Sequence, residues 1–513
     1  MKNAVGREIP QSIPGLNKIR PFQGAFAYQP TGRLAGPKTP VHVPGKEKLL
    51  KSLDQAIDAT GLRDGMTISF HHHFRNGDYV MKMVMDAIAR KGIKDLTITP
   101  SSLSAVQDCI IPYLEQGVIT AIETTGIREQ LGNLVSSGRL AKPAIIRTHG
   151  GRARAIESGE THIDVAFIGA PTCDTYGNIN GVDGPSACGS LGYPMVDAAY
   201  ADQVVAITDH LVPHPLYPIS IPQTLVDFIV VVDKIGDPNG IATGSLRISN
   251  NPKELVISKY AAQVMEYSGY FQDNFSLQLG SGGASLSAAK FIKEKMHQQG
   301  IAASFGVGGI TGVMVEMHEQ GLIKKLIDVQ TFDTPSIKSL KEHPLHVEIS
   351  ASFYANPHTR GPIVNNVDFV ILSATEVDLD FNVNVLTGSN GKLMGAPGGH
   401  PDTAAGSKVA IIVLPLIRGR RPMIQDRVNT VVTPGETVDV IVTDYGVAVN
   451  PRRKDLLDHL RDSSLPIMEI EELQRIAYKM TGIPAPPPPT ADEVVAVVEY
   501  RDGSIIDVIR KCK

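Results

Sequence analysis

Four residues between Ser69 and Asp78 carry side chains suited to proton transfer and anion binding. They are His71, His72, His73 and Arg75 in SFHHHFRNGD. Neutral imidazoles can transfer protons, and a protonated histidine beside an arginine can bind carboxylates. Packing or surface histidines are the alternative. Zinc binding is less favoured, because neighbouring side chains of an extended chain point to opposite sides. We predict that this cluster is catalytic.

A second basic group lies in AIIRTHGGRARAIESGE, from Ala144 to Glu160. Arg147, His149 and Arg152 surround a Gly-Gly pair that we interpret as a loop. Arginine binds carboxylates in a two-pronged geometry, so these residues are predicted to bind a multiply charged acid. A solvated basic loop is the alternative.

Three glycine-rich turns occur in the second half of the chain, each beside a short apolar strand. Glycine lets a ligand approach the backbone, and loops at strand ends form the binding crevice of open α/β sheets. The turns are predicted to bind a nucleotide-like or thioester ligand, although glycine is also used for tight turns alone. The residues concerned are Gly280, Ser281, Gly282 and Gly283, then Gly308 and Gly309, then Gly398, Gly399 and His400.

Acidic residues alternate with apolar ones in ATEVDLDFNVNV, which includes Glu376, Asp378 and Asn384. A period of two predicts an amphipathic strand with a polar face. A paired-carboxylate or cation site is the alternative, in which Glu376 is the candidate nucleophile.

These motifs lie in a sequence in which predicted helices alternate with short apolar strands. This alternation predicts an α/β fold with mostly parallel sheets. The alternation occurs twice along the chain. HIDVAFIGAPTCDTYGNIN and NVDFVILSATEVDLDFNVN are related by a shift of 204 residues, which pairs Asp164 with Asp368 and Asp174 with Asp378. DGMTISFHHHF, beginning at Asp64, matches DNFSLQLGSGG, beginning at Asp273, with a slightly different shift. We predict two tandem copies of one α/β unit.

The predicted division is an extended N-terminal arm (1–45), a first α/β domain (46–250), a second one (251–483) and a C-terminal segment (484–513). The last begins with the polyproline spacer PAPPPP and continues into a β-hairpin with an Asp-Gly turn. Because an isolated hairpin is marginally stable, it should dock on this protein, on a second copy or on a partner.

The composition is that of an ordinary globular protein, with 42% hydrophobic residues, 20% charged residues and a net charge of −4. The lack of a basic excess argues against nucleic-acid binding, and no apolar run predicts a membrane span or a secretion signal. The four cysteines are scattered, which favours a reducing cytoplasm, and no motif requires a metal.

The tandem copies and GAPGGHPDTAAGSKVAIIVLP resemble the coenzyme A transferases, in which a Gly-Gly-Gln-x-Asp-Phe turn precedes a Gly-Gly-Lys strand. Across nearly the whole chain, DGMTISFHHHFRNGD, IGAPTCDTYGNINGVDGPSACGSLGYP and TRGPIVNNVDF are similar to the citrate lyase α-subunit family. The resemblance implies two NagB/RpiA-like domains. The implied activity is exchange of an acetyl thioester with citrate, giving a citryl thioester and acetate.

The resemblance also implies partners. The thioester would be carried by the phosphoribosyl-dephospho-coenzyme-A arm of an acyl carrier (γ) subunit, or by coenzyme A. A citryl-lyase (β) subunit would cleave the product. We expect no covalently bound cofactor in this chain and a homo-oligomeric assembly.

One departure from the wider family concerns the nucleophile. Covalent coenzyme A transferases have a glutamate before an Asn-Gly, where this chain has Val307. Valine cannot form a thioester, so the resemblance implies transfer without a glutamyl intermediate. A transferase or hydrolase using Glu376, and a non-catalytic scaffold, are the alternatives.

Overall fold

The computed structural model describes residues 1–242, 249, 251–280, 282–482 and 490–512. The predicted thioester-binding residue Ser281 and the predicted spacer Pro484 to Pro489 lie outside these residues. None of the helices in the described ranges is long and apolar enough to cross a membrane.

The first half of the chain alternates strands with helices, as predicted. Its strands are β1 (Leu49–Leu50), β2 (Thr67–Ser69), β3 (Leu96–Ile98), β4 (Ile119–Thr124), β5 (Ala144–Ile146), β6 (Val165–Ala170), β7 (Thr172–Asp174), β8 (Ile179–Asn180), β9 (Gln203–Thr208), β10 (Leu211–Val212) and β11 (Phe228–Val231). Its helices are α1 (Leu53–Thr60), α2 (Val80–Arg90), α3 (Ile111–Glu115), α4 (Glu129–Ser136), α5 (His149–Glu157), α6 (Gly192–Tyr200) and α7 (Pro238–Ala242).

The second half has the same rhythm. Its strands are β12 (Ser276–Leu279), β13 (Phe305–Ile310), β14 (Leu326–Thr331), β15 (His346–Glu348), β16 (Phe369–Ser373), β17 (Glu376–Asp378), β18 (Val383–Asn384), β19 (Val409–Val413), β20 (Ile417–Arg418), β21 (Arg421–Pro422), β22 (Ile424–Gln425), β23 (Val440–Val442) and β24 (Val447–Val449). Its helices are α8 (Pro252–Tyr267), α9 (Gly283–Gln299), α10 (Gly312–Glu319), α11 (Thr334–Glu342), α12 (Ala351–Ala355), α13 (His400–Gly406), α14 (Lys454–Leu460) and α15 (Ile470–Thr481). The chain ends in β25 (Thr490–Glu499) and β26 (Ile505–Cys512).

The two main sheets have the same topology. The first contains the order β11-β9-β6-β2-β3-β4-β5, and the second contains β23-β19-β16-β12-β13-β14-β15. The neighbours within both series pair in parallel. The predicted fold class, two related α/β units with mostly parallel sheets, is therefore confirmed.

Equivalent aspartates hold equivalent strands in the two copies. Asp164 accepts a hydrogen bond from the Thr67 backbone at 2.7 Å, and Asp368 accepts one from the Ser276 backbone at 2.9 Å. Buried backbone N–H groups need such partners at the strand start. The repeated aspartates thus mark the same structural position twice.

The C-terminal hairpin extends the first sheet. Strand β25 pairs in parallel with β5 and antiparallel with β26, which makes this sheet ten-stranded within the described residues. The N-terminal arm packs on the hairpin, where Ile9 and Ile13 share an apolar cluster with Val497 and Ile505. The predicted boundaries at 45, 250 and 483 stay predictions.

Two local predictions were wrong. The segment after Glu376 is not one amphipathic strand, because β17 turns back into β18 and pairs Glu376 with Asn384. The Asp378 carboxylate accepts the Asn382 backbone N–H at 2.9 Å and holds that turn. The residues from His149 onward form helix α5 rather than a loop, capped by the Thr148 hydroxyl.

Candidate active site

A cavity of about 600 Å³ lies between the two α/β units. Its lining residues follow the carboxyl ends of strands from both main sheets, where open α/β folds bind ligands. The first unit contributes His72, Ser102, Thr125, Arg128, His149 and Tyr193, and the second contributes Gln278, Gly280, Gly309, Gln330, Tyr354, Ser373 and His400. This cavity is the candidate active site.

The three adjacent histidines point in alternate directions, as an extended chain requires. Of the three, His72 alone lines the cavity. His71 Nε2 lies 2.9 Å from an oxygen of Asp197, and His73 Nε2 lies 3.0 Å from the Gly169 carbonyl oxygen. His71 and His73 are buried behind the cavity wall.

His72 is held between the two units. Its Nδ1 lies 2.6 Å from the Ser101 hydroxyl, and its Nε2 lies 3.0 Å from Gln330 Oε1. A side-chain carbonyl oxygen only accepts, so the proton is on Nε2 and the serine hydroxyl donates to Nδ1. Burial, followed by the nearby His149, lowers the pKa of His72 well below its usual value. A neutral ring is therefore expected at pH 7.

His149 stacks on His72, with ring centroids 5.7 Å apart and planes 8° from parallel. Its backbone N–H donates to the Gly398 carbonyl oxygen at 2.8 Å, which joins helix α5 to the third glycine turn. Burial and the positive charges of Arg152 and Arg128 lower the pKa of His149 to about 3. Its Nδ1 is buried without a hydrogen-bond partner in the described part of the chain, whereas the residue as a whole lines the cavity.

His400 begins helix α13 in the second unit. Its Nδ1 lies 2.7 Å from the Thr433 hydroxyl, and its ring interacts with the backbone of Ser373. Burial lowers the pKa of His400 to about 4. The cavity thus has three neutral imidazoles, from His72, His149 and His400.

Two of the predicted substrate-binding residues form ion pairs inside the protein. Arg152 donates to both oxygens of Asp197, at 2.8 and 2.7 Å. Arg147 is buried between Glu123 and Glu499, the latter in the C-terminal hairpin. Neither arginine lines the cavity, unlike His149. The sequence could not show this, because Asp197 and Glu499 are distant in the chain.

Arg75 lines the cavity and also joins the two units. Its guanidinium donates to the carbonyl oxygens of Thr331 and Phe332 and lies 4.3 Å from the centre of the Phe332 ring. Its φ is +50°, an uncommon value for a residue with a side chain. These contacts make Arg75 part of the cavity wall.

The glycine turns line much of the second unit's wall. Gly280, Gly282, Gly309, Gly398 and Gly399 face the cavity, whereas Gly283 and Gly308 do not line it. A Cβ on Gly309 would lie 1.8 Å from the Phe332 ring, and one on Gly282 would lie 2.0 Å from the Ser373 hydroxyl. Close packing therefore already requires glycine at these two positions.

Carboxylates are scarce in this cavity. Val307, at the position where covalent transferases have their glutamate, lies in β13 with no exposed surface. Glu376 does not line the cavity. Its carboxylate accepts hydrogen bonds from Asn384 at 2.9 Å and from the Asn429 backbone at 2.6 Å. Glu129 is the one lining carboxylate among the described residues. It is exposed and has a φ of +55°.

Several site residues were missed from the sequence. They are Ser101, which contacts His72, and the lining residues Ser102, Arg128, Tyr193, Gln278, Gln330 and Tyr354. Five of the seven lie near the carboxyl end of a predicted or repeated strand. Open α/β folds bind ligands at the carboxyl ends of their strands. Inspecting the residues after every strand of both copies, and not only the glycine turns, would have found Ser101, Ser102 and Arg128.

Comparison with known proteins identifies the family. The family model for the citrate lyase α subunit matches residues 46–512. The citrate lyase α chain of Klebsiella pneumoniae is 52% identical over 97% of this chain and 96% of its own length. That of Escherichia coli is 51% identical over 91% of both chains.

Solved structures agree. The citrate lyase α subunit of Streptococcus mutans, crystallised in complex with citrate, superposes with a TM-score of 0.97, 50% identity and full coverage of both chains. The malonate decarboxylase α subunit of Acinetobacter baumannii, at 15% identity and a TM-score of 0.63 over 86% of each chain, shares the fold. The chain therefore belongs to the citrate lyase α-subunit family, enzymes of the coenzyme A transferase class, as its sequence predicted.

Proposed function

We propose that this chain exchanges the acyl group of a thioester: acetyl thioester and citrate give citryl thioester and acetate. The main observation in support of this proposal is the cavity of about 600 Å³ between the two transferase-like units, which three neutral imidazoles line. A relative that is 50% identical along its whole length was crystallised with citrate, which supports citrate as the acid.

The proposed route needs both substrates in the cavity at once. A citrate carboxylate attacks the acetyl carbonyl carbon, the C–S bond breaks, and a mixed anhydride and a thiolate form. The thiolate then attacks the citryl carbonyl of the anhydride, and acetate leaves with the electron pair of the broken C–O bond. Every atom is conserved and no external oxidant or reductant is needed.

The chain's own residues contribute position and hydrogen bonds. Holding the reactants together can supply several kcal/mol of the barrier reduction, about 7 to 11 at best. The imidazoles of His149 and His400 line the cavity and can bind substrate oxygens, including oxygens that become negative during each attack. Because these rings are neutral, they add no charge that would trap the acid.

The proposal includes the partners implied by the resemblance. The thioester would arrive on the phosphoribosyl-dephospho-coenzyme-A arm of an acyl carrier subunit, and a citryl-lyase subunit would consume the product. The chain would act as a homo-oligomer in the cytoplasm.

The test is acetate release from labelled acetyl-CoA by the purified chain, with and without citrate. We expect citrate-dependent acetate and the appearance of citryl-CoA. Acetate released without citrate would indicate a hydrolase instead. Inactivity in both mixtures and again after addition of the acyl carrier subunit would favour a scaffold.

The covalent alternative has its own test. Hydroxylamine, added after incubation with acetyl-CoA, traps a glutamyl thioester as a hydroxamate that mass spectrometry can locate. We expect no adduct at Glu129 or Glu376, and continued transfer by Glu129→Gln. An adduct at either residue, or complete inactivity of Glu129→Gln, would contradict direct exchange.

A further inference from the structure

Arg128 lines the cavity and forms no ion pair with a carboxylate in the described part of the chain; burial lowers its pKa, and the charge of the adjacent Glu129 opposes that effect. It follows β4 and immediately precedes helix α4. Among the described residues its guanidinium makes one hydrogen bond, a long one of 3.4 Å to the Ser102 hydroxyl, which also lines the cavity. The remaining N–H donors of this planar group have no protein acceptor there.

The other buried arginines near the cavity bind groups of the protein itself, although the Nε atoms of Arg75 and Arg152 have no partner among the described residues. Arg147 and Arg152 pair with buried carboxylates, and Arg75 donates to two carbonyl oxygens. Withdrawing a guanidinium from water without an acceptor is costly, so proteins seldom leave one in that state. Arg128 therefore has the features of a group whose acceptor is a ligand.

The neighbours of Arg128 show which part of the cavity wall it belongs to. It is close enough to His72 and His149 for its charge to lower the pKa of both rings. The stacked rings of His72 and His149 in turn contact Tyr193, with ring centroids 4.7 Å from each. Arg128 and these rings therefore belong to the same side of the cavity, the side that the first unit forms.

We propose that Arg128 binds a non-reacting carboxylate of the acid substrate and so selects di- and tricarboxylates. Two parallel N–H···O bonds fit a carboxylate and fix the orientation of the rest of the acid. A second carboxylate of the same molecule then remains free to meet the thioester. This inference rests on the proposed function, since it assigns a role within that site.

The test is calorimetric titration of citrate into the wild-type chain and into Arg128→Met and Arg128→Lys. We expect Arg128→Met to weaken citrate binding about 10- to 100-fold, the effect of losing hydrogen bonds to a charged group. Arg128→Lys keeps the positive charge but cannot form two parallel hydrogen bonds to one carboxylate, so its loss of citrate affinity should be smaller than that of Arg128→Met. Arg139→Met is the matched control, because Arg139 is exposed and paired with Glu115.

Steady-state kinetics separates the acid from the thioester. Arg128→Met should raise KM for citrate and leave KM for acetyl-CoA unchanged. The inference is overturned if citrate binds equally to the wild type and Arg128→Met, or if KM for acetyl-CoA rises instead, which would place a phosphate of the carrier at Arg128.

The two proposals fail separately. A wild-type chain that binds citrate through Arg128 but exchanges no acetyl group, even with the acyl carrier subunit, would overturn the proposed function and keep the inference. A wild-type chain that exchanges acetyl groups while Arg128→Met binds citrate normally would overturn the inference alone. A wild-type chain that binds no citrate would overturn both.

Discussion

Protonation states decide what the cavity residues can do. Histidine is ordinarily half protonated near pH 6.5, but the enclosed rings of His149 and His400 have pKa values of about 3 and about 4. These rings can therefore donate or accept hydrogen bonds at pH 7 without carrying charge. Arg128 lines the same cavity and its charge acts on both stacked rings, so our proposal gives charge recognition to this residue and hydrogen bonding to the imidazoles.

The first prediction concerns this neutral state. Because the pKa values are lowered, the rings should stay neutral as the pH falls from 8 to 5 and become protonated only at lower pH. The ¹³C-labelled histidine resonance assigned to His149 by its loss in His149→Phe should therefore not shift over that range.

The pH profile of kcat/KM provides the second readout of the same prediction. After correction for ionisation of citrate, titrated separately, the profile should show no acid limb near pH 6.5. A limb there, together with a shifting His149 resonance, would contradict a neutral imidazole in the site. Exposed His162 serves as the control ring in the spectra.

At the level of elements, strand ends could be predicted and side-chain partners could not. The repeat and the apolar runs predicted the strands that carry His72 and the glycine turns. Helix α5 was missed because Gly150 and Gly151 usually break helices. Gly150 is needed there since a Cβ would lie 2.0 Å from the Ala355 carbonyl oxygen, a contact between units that no local pattern shows.

The C-terminal hairpin supports the element that carries His149. Glu499 of β25 pairs with Arg147 at 2.7 Å, and Arg501, in the turn after β25, lies 3.5 Å from Asp402. Asp402 in turn accepts the backbone N–H of Gly150 at 2.9 Å. The hairpin, although 350 residues further along the chain, thus fixes the start of α5.

A second prediction distinguishes support from substrate binding. Arg147→Met removes the arginine shared by Glu123 and Glu499, leaving Glu499 with Arg154 at 3.6 Å and Glu123 with the Thr161 hydroxyl. Breaking a buried ion pair in this way costs about 3–5 kcal/mol. The thermal midpoint should fall clearly, while the citrate Kd measured at low temperature should not change. Differential scanning calorimetry and citrate titration check the two parts.

Arg139→Met again serves as the control, since removing an exposed ion pair should change the midpoint little. The opposite result for Arg147→Met, a normal midpoint with weakened citrate binding, would return Arg147 to the substrate-binding role predicted from the sequence.

For the whole molecule, the tandem repeat indicated two units but not how they meet. The cavity exists because strand ends of one sheet face those of the other, and contacts such as His72 with Gln330 cross between them. Such contacts join residues 258 positions apart, and periodicity carries no information on pairing at that distance. The same limit applies to β25, which the sequence placed in a separate segment and the fold places beside β5.

Glu348 belongs to the contact between the units. It lies in β15 of the second unit and accepts the backbone N–H of Leu191 in the first. Burial raises the pKa of Glu348 to about 7, against an ordinary value of 4.5. Between these two pH values the folded protein binds more protons than the unfolded chain, so its stability should decrease as the pH rises.

The third prediction is that Glu348→Gln removes this decrease. A pKa difference from 4.5 to about 7 corresponds to on the order of 3 kcal/mol, complete above the folded-state pKa. The variant should match the wild type at pH 5, where Glu348 is protonated in the fold, and exceed its thermal midpoint at pH 8. Thermal unfolding at intervals between pH 5 and 8 measures the difference, with exposed Glu342→Gln as the control.

A difference in thermal midpoint that stays constant across that range would mean that Glu348 does not titrate at the contact. A difference that grows with pH would show that the two units are held together more firmly when the Glu348 carboxyl is protonated.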